Sequence, residues 1–299
     1  MRSMIKTESL TKYYGKSRGI LDVDLSIDEG DFFGFIGPNG AGKSTTIRIL
    51  LGLISPTKGT AEICGRDVTK EKKAILADIG YMPSETMFYH NRKAGEIIKL
   101  SADLRKRDCA SEAAALCERL ALDPEKKISQ LSLGNRKKVS IVCALQHKPK
   151  LCVLDEPTSG LDPLIQREFY KILEERNNAG ATIFLSSHVL SEVQKHCRHV
   201  AVIREGKILA SDGIENLGHA EAKRVTVKGM DTLPAMEHVR NVKEVDGGIR
   251  FLYSGRTSAL LHALSQLPLT DIEITEPDLE EIFLHYYEKE EEKHDIIEA

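Results

Sequence analysis

One stretch of the sequence decides the fold, and it reads Gly37-Pro38-Asn39-Gly40-Ala41-Gly42-Lys43-Ser44-Thr45. It matches the phosphate-binding loop pattern G-x-x-x-x-G-K-[ST] at every required position. Residues 31–36 before it are an apolar run that predicts a short strand, and residues 45–51 after it predict the first turns of a helix. A glycine-rich loop between a strand and a helix is the context in which this pattern binds phosphate. We therefore predict an α/β fold built on a P-loop NTPase core.

The residue types in this loop have a physical reason. Gly37, Gly40 and Gly42 allow tight backbone bends and keep side chains away, so that main-chain N–H groups can point at an anion. The dipole of the following helix strengthens that attraction. We expect Lys43 to reach the terminal phosphates and the Ser44 hydroxyl to bind Mg²⁺. Every residue of the loop is therefore a candidate nucleotide-binding residue.

The composition is typical of a soluble globular protein. The 299 residues are 41% hydrophobic and 29% charged, with a formal net charge of −3. This balance provides no strong field to attract nucleic acid or an anionic membrane. No apolar run is long enough to cross a bilayer and the first residues lack a signal-peptide core, so we expect any membrane part to come from another chain. The six cysteines are scattered without a C-x-x-C pair, which favours a reducing, cytoplasmic compartment.

The order of the predicted elements divides the chain into two parts. Strand patterns surround the loop and return at 151–154 and 182–187, two apolar runs typical of buried parallel strands. Between the loop and these runs, about residues 86–150 show helical spacing and predict a helical subdomain within residues 1–220. Residues 221–299 predict a small α/β unit of their own, which ends in a charged tail.

A second group of motifs follows the loop. The run Leu131-Ser132-Leu133-Gly134-Asn135 stands shortly before the first of the two buried strands. That strand ends in Asp155-Glu156, which Ser159-Gly160-Leu161-Asp162 follows at once, and Ser186-Ser187-His188 ends the second strand. Together with the phosphate loop, these motifs resemble the ATP-binding cassette (ABC) family of ATPases. The resemblance covers roughly residues 4–220.

The resemblance implies an architecture and roles for the matching residues. Members of this family combine a mixed sheet with an antiparallel β subdomain and a helical subdomain, and they bind and hydrolyse ATP with Mg²⁺. Asp155 would hold Mg²⁺ through water, and Glu156 would orient or deprotonate the attacking water. His188 would sense the γ-phosphate, and Tyr14 would stack on adenine. Glu156, His188 and Lys43 are thus the catalytic candidates.

The resemblance also implies a second molecule. Ser132 and Gly134 lie at a helix start, where a hydroxyl and N–H groups form an anion site. In the family this site faces the γ-phosphate bound by the partner subunit, which implies a head-to-tail homodimer, or a pair with a related ATPase subunit, around two ATP molecules. Asp162, in the neighbouring D-loop, is a further candidate nucleotide-binding residue. Leu133 and Asn135 replace the usual glycine and glutamine of the signature, and we interpret both changes as tolerated.

The Q-loop departs from the family pattern. Ser84 and then Glu85 stand where a glutamine normally reaches Mg²⁺. Either side chain offers an oxygen to a hard cation, and water could complete the coordination shell instead. Glu85 has the better reach and charge, so it joins Ser44 and Asp155 in the candidate Mg²⁺ set.

We expect the ATPase subunit of an ABC transporter, which works with separate transmembrane permease subunits at the inner face of the cell membrane. Residues 276–283 resemble the ending of bacterial ATPases that serve ABC-2 type exporters, which implies export. The alternative is a soluble ABC-type ATPase of DNA repair or translation. A single cassette, no long heptad run and no basic patch argue against it and against a nucleic-acid partner. A catalytically dead cassette is disfavoured because Lys43, Asp155, Glu156 and His188 are all present.

A short segment after the Q-loop position admits two interpretations. The run Thr86-Met87-Phe88-Tyr89 is unusually apolar for a connection between elements. An exposed apolar segment would form part of a docking surface for a membrane partner. Burial inside the helical subdomain is the other interpretation, and the sequence leaves both open.

Overall fold

The predicted loop follows a central strand of a six-stranded sheet. The computed structural model describes residues 2–214, 223–230, 232–234 and 236–275. Within them the strands are β1 (Ser3–Tyr14), β2 (Ser17–Asp28), β3 (Phe32–Ile36), β4 (Lys58–Ile63), β5 (Arg66–Asp67), β6 (Ile79–Met82), β7 (Leu151–Asp155), β8 (Thr182–Ser187), β9 (His199–Arg204), β10 (Lys207–Gly213), β11 (Lys223–Lys228), β12 (Val239–Val245), β13 (Gly248–Tyr253) and β14 (Asp271–Thr275). The helices are α1 (Lys43–Leu50), α2 (Lys72–Asp78), α3 (Ala94–Arg105), α4 (Ala110–Arg119), α5 (Leu133–Leu145), α6 (Pro163–Asn178), α7 (Leu190–His196) and α8 (Thr257–Leu264).

The six-stranded sheet brings three motifs to one edge. Its strand order is β10-β9-β3-β8-β7-β6, and the neighbours from β9 to β6 run parallel. Every residue of β3, β7 and β8 is buried, as expected for parallel strands covered on both faces. The carboxyl ends of parallel strands share one edge, where ligands bind in open α/β sheets. The loop after β3 and the ends of β7 and β8 therefore lie together.

An antiparallel sheet packs beside this core. Its order is β2-β1-β4-β5, with β1 antiparallel to both β2 and β4. Along β2 the side chains of Val23, Leu25 and Ile27 are buried and those between them are exposed, the alternation of a half-buried strand. They join Ile47 and Leu50 of α1 in one apolar core. The predicted mixed sheet and antiparallel β subdomain are confirmed.

Helices occupy the segment between β6 and β7, as the fold prediction required. Helix α5 packs against α3, α4 and strand β6. Its buried positions include Val139, Val142 and Leu145, which place it in the middle of this region. The exact domain bounds of 1–220, 86–150 and 221–299 stay predictions.

The chain divides into two compact units, Met1–Asp212 and Gly213–Ala299. In the second unit, the sheet order is β12-β13-β11-β14 and α8 contributes Leu260 to its apolar core. The predicted last helix, the motif at 276–283 and the charged tail lie outside the described residues.

Strand β12 and helices α2 and α7 are among the elements that were not expected from the sequence. Strand β12 carries its valines at every third position, 239, 242 and 245, instead of alternating. A register shift between Arg240 and Lys243, with Asn241 at a φ of 51°, explains that spacing. Helices α2 and α7 have only seven residues each, too few for the helical period to show.

Candidate functional site

The loop from 37 to 45 forms the turn between β3 and α1. Gly42 is the N-cap of α1 with a φ of 112°, in the left-handed region that favours glycine. At Gly37 a Cβ atom would lie 2.2 Å from the carbonyl oxygen of Ile203. Both glycines are thus required by the backbone geometry, because a side chain would be strained at Gly42 and would overlap the neighbouring strand at Gly37.

The Lys43 side chain lies back over the loop and is only 6% exposed. Its Nζ donates to the carbonyl oxygen of Gly37 at 2.6 Å and to that of Pro38 at 3.2 Å. The same nitrogen lies 3.2 Å from Oε1 of Glu156. A buried ammonium needs such partners, since an unpaired charge is strongly disfavoured away from water.

The ends of β7 and β8 bring two carboxylates and a histidine to the loop. Asp155 is 2% exposed, and its Oδ1 accepts a hydrogen bond of 2.6 Å from the Ser186 hydroxyl. Nδ1 of His188 donates to Oε2 of Glu156 at 2.7 Å. The Glu156 carboxylate therefore lies between the Lys43 ammonium and the His188 ring, although these residues are far apart in the sequence.

A cleft of about 310 Å³ opens beside this cluster. Most of the predicted ATP-binding residues meet in it together with Arg18 and Gly19, and the lining consists of Tyr14, Arg18, Gly19, Pro38, Asn39, Gly40, Ala41, Gly42, Lys43, Ser44, Thr45, Ser84 and Glu156. Tyr14 is half exposed and lies under the Lys12 ammonium, which is 5.5 Å from the ring centroid. Because Tyr14 also lines the cleft, its ring is placed where it could contact a planar group bound there.

Other predicted site residues lie outside this cleft. Ser132 is the N-cap of α5 and its hydroxyl accepts from the N–H of Asn135 at 3.3 Å. Asp162 is the N-cap of α6 and accepts from the N–H of Ile165 at 3.0 Å. Glu85 is exposed, whereas its neighbour Ser84 lines the cleft. A single chain therefore does not bring the signature motif to its own phosphate loop.

Comparison with known proteins identifies the family. Residues 20–159 match the family model described as ABC transporter. The bacitracin transport ATP-binding protein BcrA of Bacillus licheniformis is 40% identical over 224 residues, which cover 73% of this chain and 72% of that protein. The chain belongs to the ABC transporter family. It is an ATP-binding subunit that carries the ABC ATPase domain.

Further comparisons agree with membership of the ABC family. The lantibiotic transport ATP-binding protein SrtF of Streptococcus pyogenes is 37% identical over 219 residues, covering 72% of this chain and 94% of that protein. A solved dimeric structure of a bacterial ABC transporter cassette matches with a TM-score of 0.63 at 26% identity, covering 71% of this chain and 99% of that one. In the described part of this ABC subunit, no helix is both long and apolar enough to cross a membrane.

Four residues of the ABC site were not predicted from the sequence, and one of them, Gly19, only lines the cleft. Ser186 donates to Asp155 and accepts from the Glu156 N–H at 3.1 Å. Lys137 reaches the Glu156 carbonyl oxygen at 2.8 Å. Arg18 lines the cleft and pairs with Glu205 at 3.2 Å. The position of Ser186 at the end of a predicted buried strand was the one signal available for it.

Proposed function

We propose that this ABC subunit binds Mg²⁺–ATP in the cleft beside the phosphate loop and hydrolyses it with Glu156 as general base. The observation that carries the proposal is the position of the Glu156 carboxylate, 3.2 Å from the Lys43 ammonium and 2.7 Å from the His188 ring. A general base must lie within hydrogen-bond reach of the proton it takes, and Glu156 lines the cleft in which we place ATP. ATP hydrolysis in turn energises export through separate membrane subunits.

The residues present fit a nucleotide phosphate. The N-terminus of α1 presents main-chain N–H groups from a loop with no side chain at Gly40 or Gly42. Lys43 adds a cation whose carbonyl partners, at Gly37 and Pro38, are neutral and can be exchanged for phosphate oxygens. The volume of the cleft is in the range of ligand pockets.

Oxygen donors for Mg²⁺ lie in the same place. Ser44 lines the cleft, and the buried Asp155 carboxylate lies at the end of β7. Hydroxyl, carboxylate and water oxygens are the ligands this ion prefers, and it usually keeps several waters. Because Ser84 lines the cleft, its hydroxyl or a water molecule is favoured as the Mg²⁺ ligand at the Q-loop position. A role for Glu85 as a ligand stays a prediction.

We assign Ser132, Gly134 and Asp162 to a half-site that acts on the nucleotide of a second subunit. Their place outside the cleft of their own chain supports this assignment, as does the dimeric cassette among the similar structures. Both Ser132 and Asp162 are N-caps, so each lies at a helix start, where anions are stabilised. ATP then closes a head-to-tail dimer, and hydrolysis opens it.

We further propose that the dimer works with permease subunits at the cytoplasmic face of a membrane. BcrA and SrtF are named as transport ATP-binding proteins for bacitracin and for a lantibiotic, which favours export of such compounds. The segment Thr86-Met87-Phe88-Tyr89 is our candidate docking surface. Met87 is 90% exposed and Tyr89 is 72% exposed, which favours docking over burial inside the helical subdomain.

The test is Glu156→Gln in the full-length chain. We expect the variant to bind ATP like the wild type, to hydrolyse it about 100-fold or more slowly because general-base catalysis is lost, and to accumulate as a dimer. Phosphate release and light scattering with Mg²⁺–ATP measure the two effects. Glu174→Gln is the matched control, since Glu174 pairs with His196 at 2.8 Å outside the cleft. If Glu156→Gln hydrolysed ATP at the wild-type rate, Glu156 would not be the general base. If the variant stayed monomeric at saturating ATP, the head-to-tail dimer around ATP would be refuted.

A further inference from the structure

A lysine is buried in α5 directly behind the catalytic candidates. Lys137 is 2% exposed, although lysine is almost never fully buried unless a partner holds its charge. Burial lowers the pKa of Lys137, and the carboxylates of Asp155 and Glu156 oppose that effect. The buried ammonium therefore requires a partner, and that partner lies at the end of β7.

The partner is a main-chain oxygen. Nζ of Lys137 donates to the carbonyl oxygen of Glu156 at 2.8 Å. On the other side of the same residue, the Glu156 N–H donates to the Ser186 hydroxyl at 3.1 Å. The Glu156 N–H also donates to the main-chain carbonyl oxygen of Ser186 at 3.2 Å. Lys137 thus holds the carbonyl group of Glu156, and Ser186 holds its N–H.

These contacts matter because Glu156 has an unusual backbone conformation. Its φ is 49°, in the left-handed region that residues other than glycine rarely adopt. Such a conformation persists only where the surroundings over-determine it. The main chain sets the direction of the side chain, and here that direction brings the carboxylate to Lys43 and His188. Loss of the Lys137 contact would allow the main chain to relax and the carboxylate to turn away.

The same helix also joins the two half-sites within one chain. Ser132 is the N-cap of α5, and Lys137 follows about a turn and a half later. A helix moves as a unit over this distance. Ser132 and the side chain that contacts the carbonyl oxygen of Glu156 therefore belong to one helix.

We propose that Lys137 is a positioning residue for ATP hydrolysis, which holds the Glu156 main chain so that the carboxylate faces the cleft. Lys137 lies on the same helix as the half-site residue Ser132. The proposal rests on the proposed function of Glu156 as general base. Lys137 does not touch the substrate and acts only through Glu156.

The experiment compares three variants of the full-length chain by steady-state ATPase kinetics and ATP binding. Lys137→Met removes the hydrogen-bond donor to the Glu156 carbonyl oxygen and keeps an apolar side chain of similar length. We expect its kcat to fall about tenfold or more, because small misplacements of a reacting group are costly. KM and ATP affinity should stay within about twofold. Lys137→Gln keeps a donor on a shorter side chain and should recover part of kcat. Lys138→Met, at a buried position 8% exposed, is the matched control and should keep the wild-type kcat.

Several results would overturn the proposal. They are a wild-type kcat in Lys137→Met, an equal loss in Lys138→Met, or a loss confined to KM. If Lys137→Met does not fold, the test uses Lys137→Gln in its place. A lowered kcat with wild-type ATP affinity in that variant supports the proposal, and any other pattern overturns it. Glu156→Gln separates the two hypotheses. If it is inactive while Lys137→Met is fully active, only the role of Lys137 fails, whereas an active Glu156→Gln refutes the proposed function itself.

Discussion

Lys43 shows how a single residue can prepare the site before the nucleotide arrives. Its ammonium is nearly buried, and it is satisfied by two carbonyl oxygens of its own loop and by the Glu156 carboxylate. A buried cation and a buried anion stabilise each other, and removing one leaves the other uncompensated. Lys43 thus holds the Glu156 carboxylate beside the loop, and ATP would replace its carbonyl partners with phosphate oxygens.

We predict that Lys43→Ala abolishes ATP hydrolysis and weakens ATP binding. Hydrogen bonds to charged groups are worth about 1.5–3 kcal/mol, which corresponds to a loss of affinity of about tenfold to a hundredfold. Titration of the full-length chain with ATP measures the change. Lys58→Ala, an exposed lysine on β4, is the control. Equal ATP affinity in Lys43→Ala and the wild type would contradict the assignment of Lys43 to the phosphates.

At the scale of elements, the junction between α5 and β6 carries a buried histidine. His147 follows α5, and its Nε2 lies 3.2 Å from the carbonyl oxygen of Ile79 on β6. Burial and then the nearby Arg105 lower the pKa of His147 to about 4. The folded protein therefore holds this ring neutral at a pH where the unfolded chain would protonate it.

This pKa shift predicts a pH dependence of stability. Because the folded-state pKa is below the unfolded value of 6.5, the contribution is fully present above pH 6.5 and is lost as the pH falls toward 4. At pH 5 we expect the loss to be about 2 kcal/mol. His147→Gln keeps a donor for the Ile79 carbonyl and removes the titrating ring. Urea unfolding at pH 7 and pH 5 should show a smaller decrease for the variant, and an equal decrease in both proteins would refute the prediction.

For the whole molecule, the proposed function depends on two surfaces that one chain leaves open. The signature residues lie outside the cleft of their own chain, and the segment Thr86-Met87-Phe88-Tyr89 exposes two large apolar side chains. Our proposal assigns a partner to each feature, a second cassette to the signature residues and a membrane subunit to the apolar segment.

We predict that the double change Met87→Ser and Tyr89→Ser uncouples the ATPase from its membrane partner. Both side chains are exposed, so the isolated subunit should fold normally and keep its ATPase activity, because surface changes usually alter stability by less than about 0.5 kcal/mol. Co-purification with the permease should be lost. Leu164→Ser, an equally exposed apolar position on α6, is the control. If the double variant still bound the permease, the assignment of this segment as a docking surface would be wrong.

Much of the site could be predicted because its signals are local. The loop from 37 to 45 is a turn whose glycines and lysine specify both its shape and its ligand, and the apolar runs at β7 and β8 predict buried strands. Strand β12 could not be predicted, since a bulge at Asn241 breaks the alternation that reveals a strand. The sequence placed Ser186 at the end of a predicted strand but did not show its contacts, because Asp155 and Glu156 lie at the end of another strand.

The sequence by itself determined the phosphate loop, the order of the motifs and the family, because residue types at short spacing are enough to specify a turn and the chemistry of its groups. Only the tertiary structure decided that Lys43, Glu156 and His188 meet, and that Lys137 holds the Glu156 main chain. The physical reason is the order of the parallel strands. Placing β3, β8 and β7 side by side brings together groups that are far apart along the chain, and no local pattern records those distances.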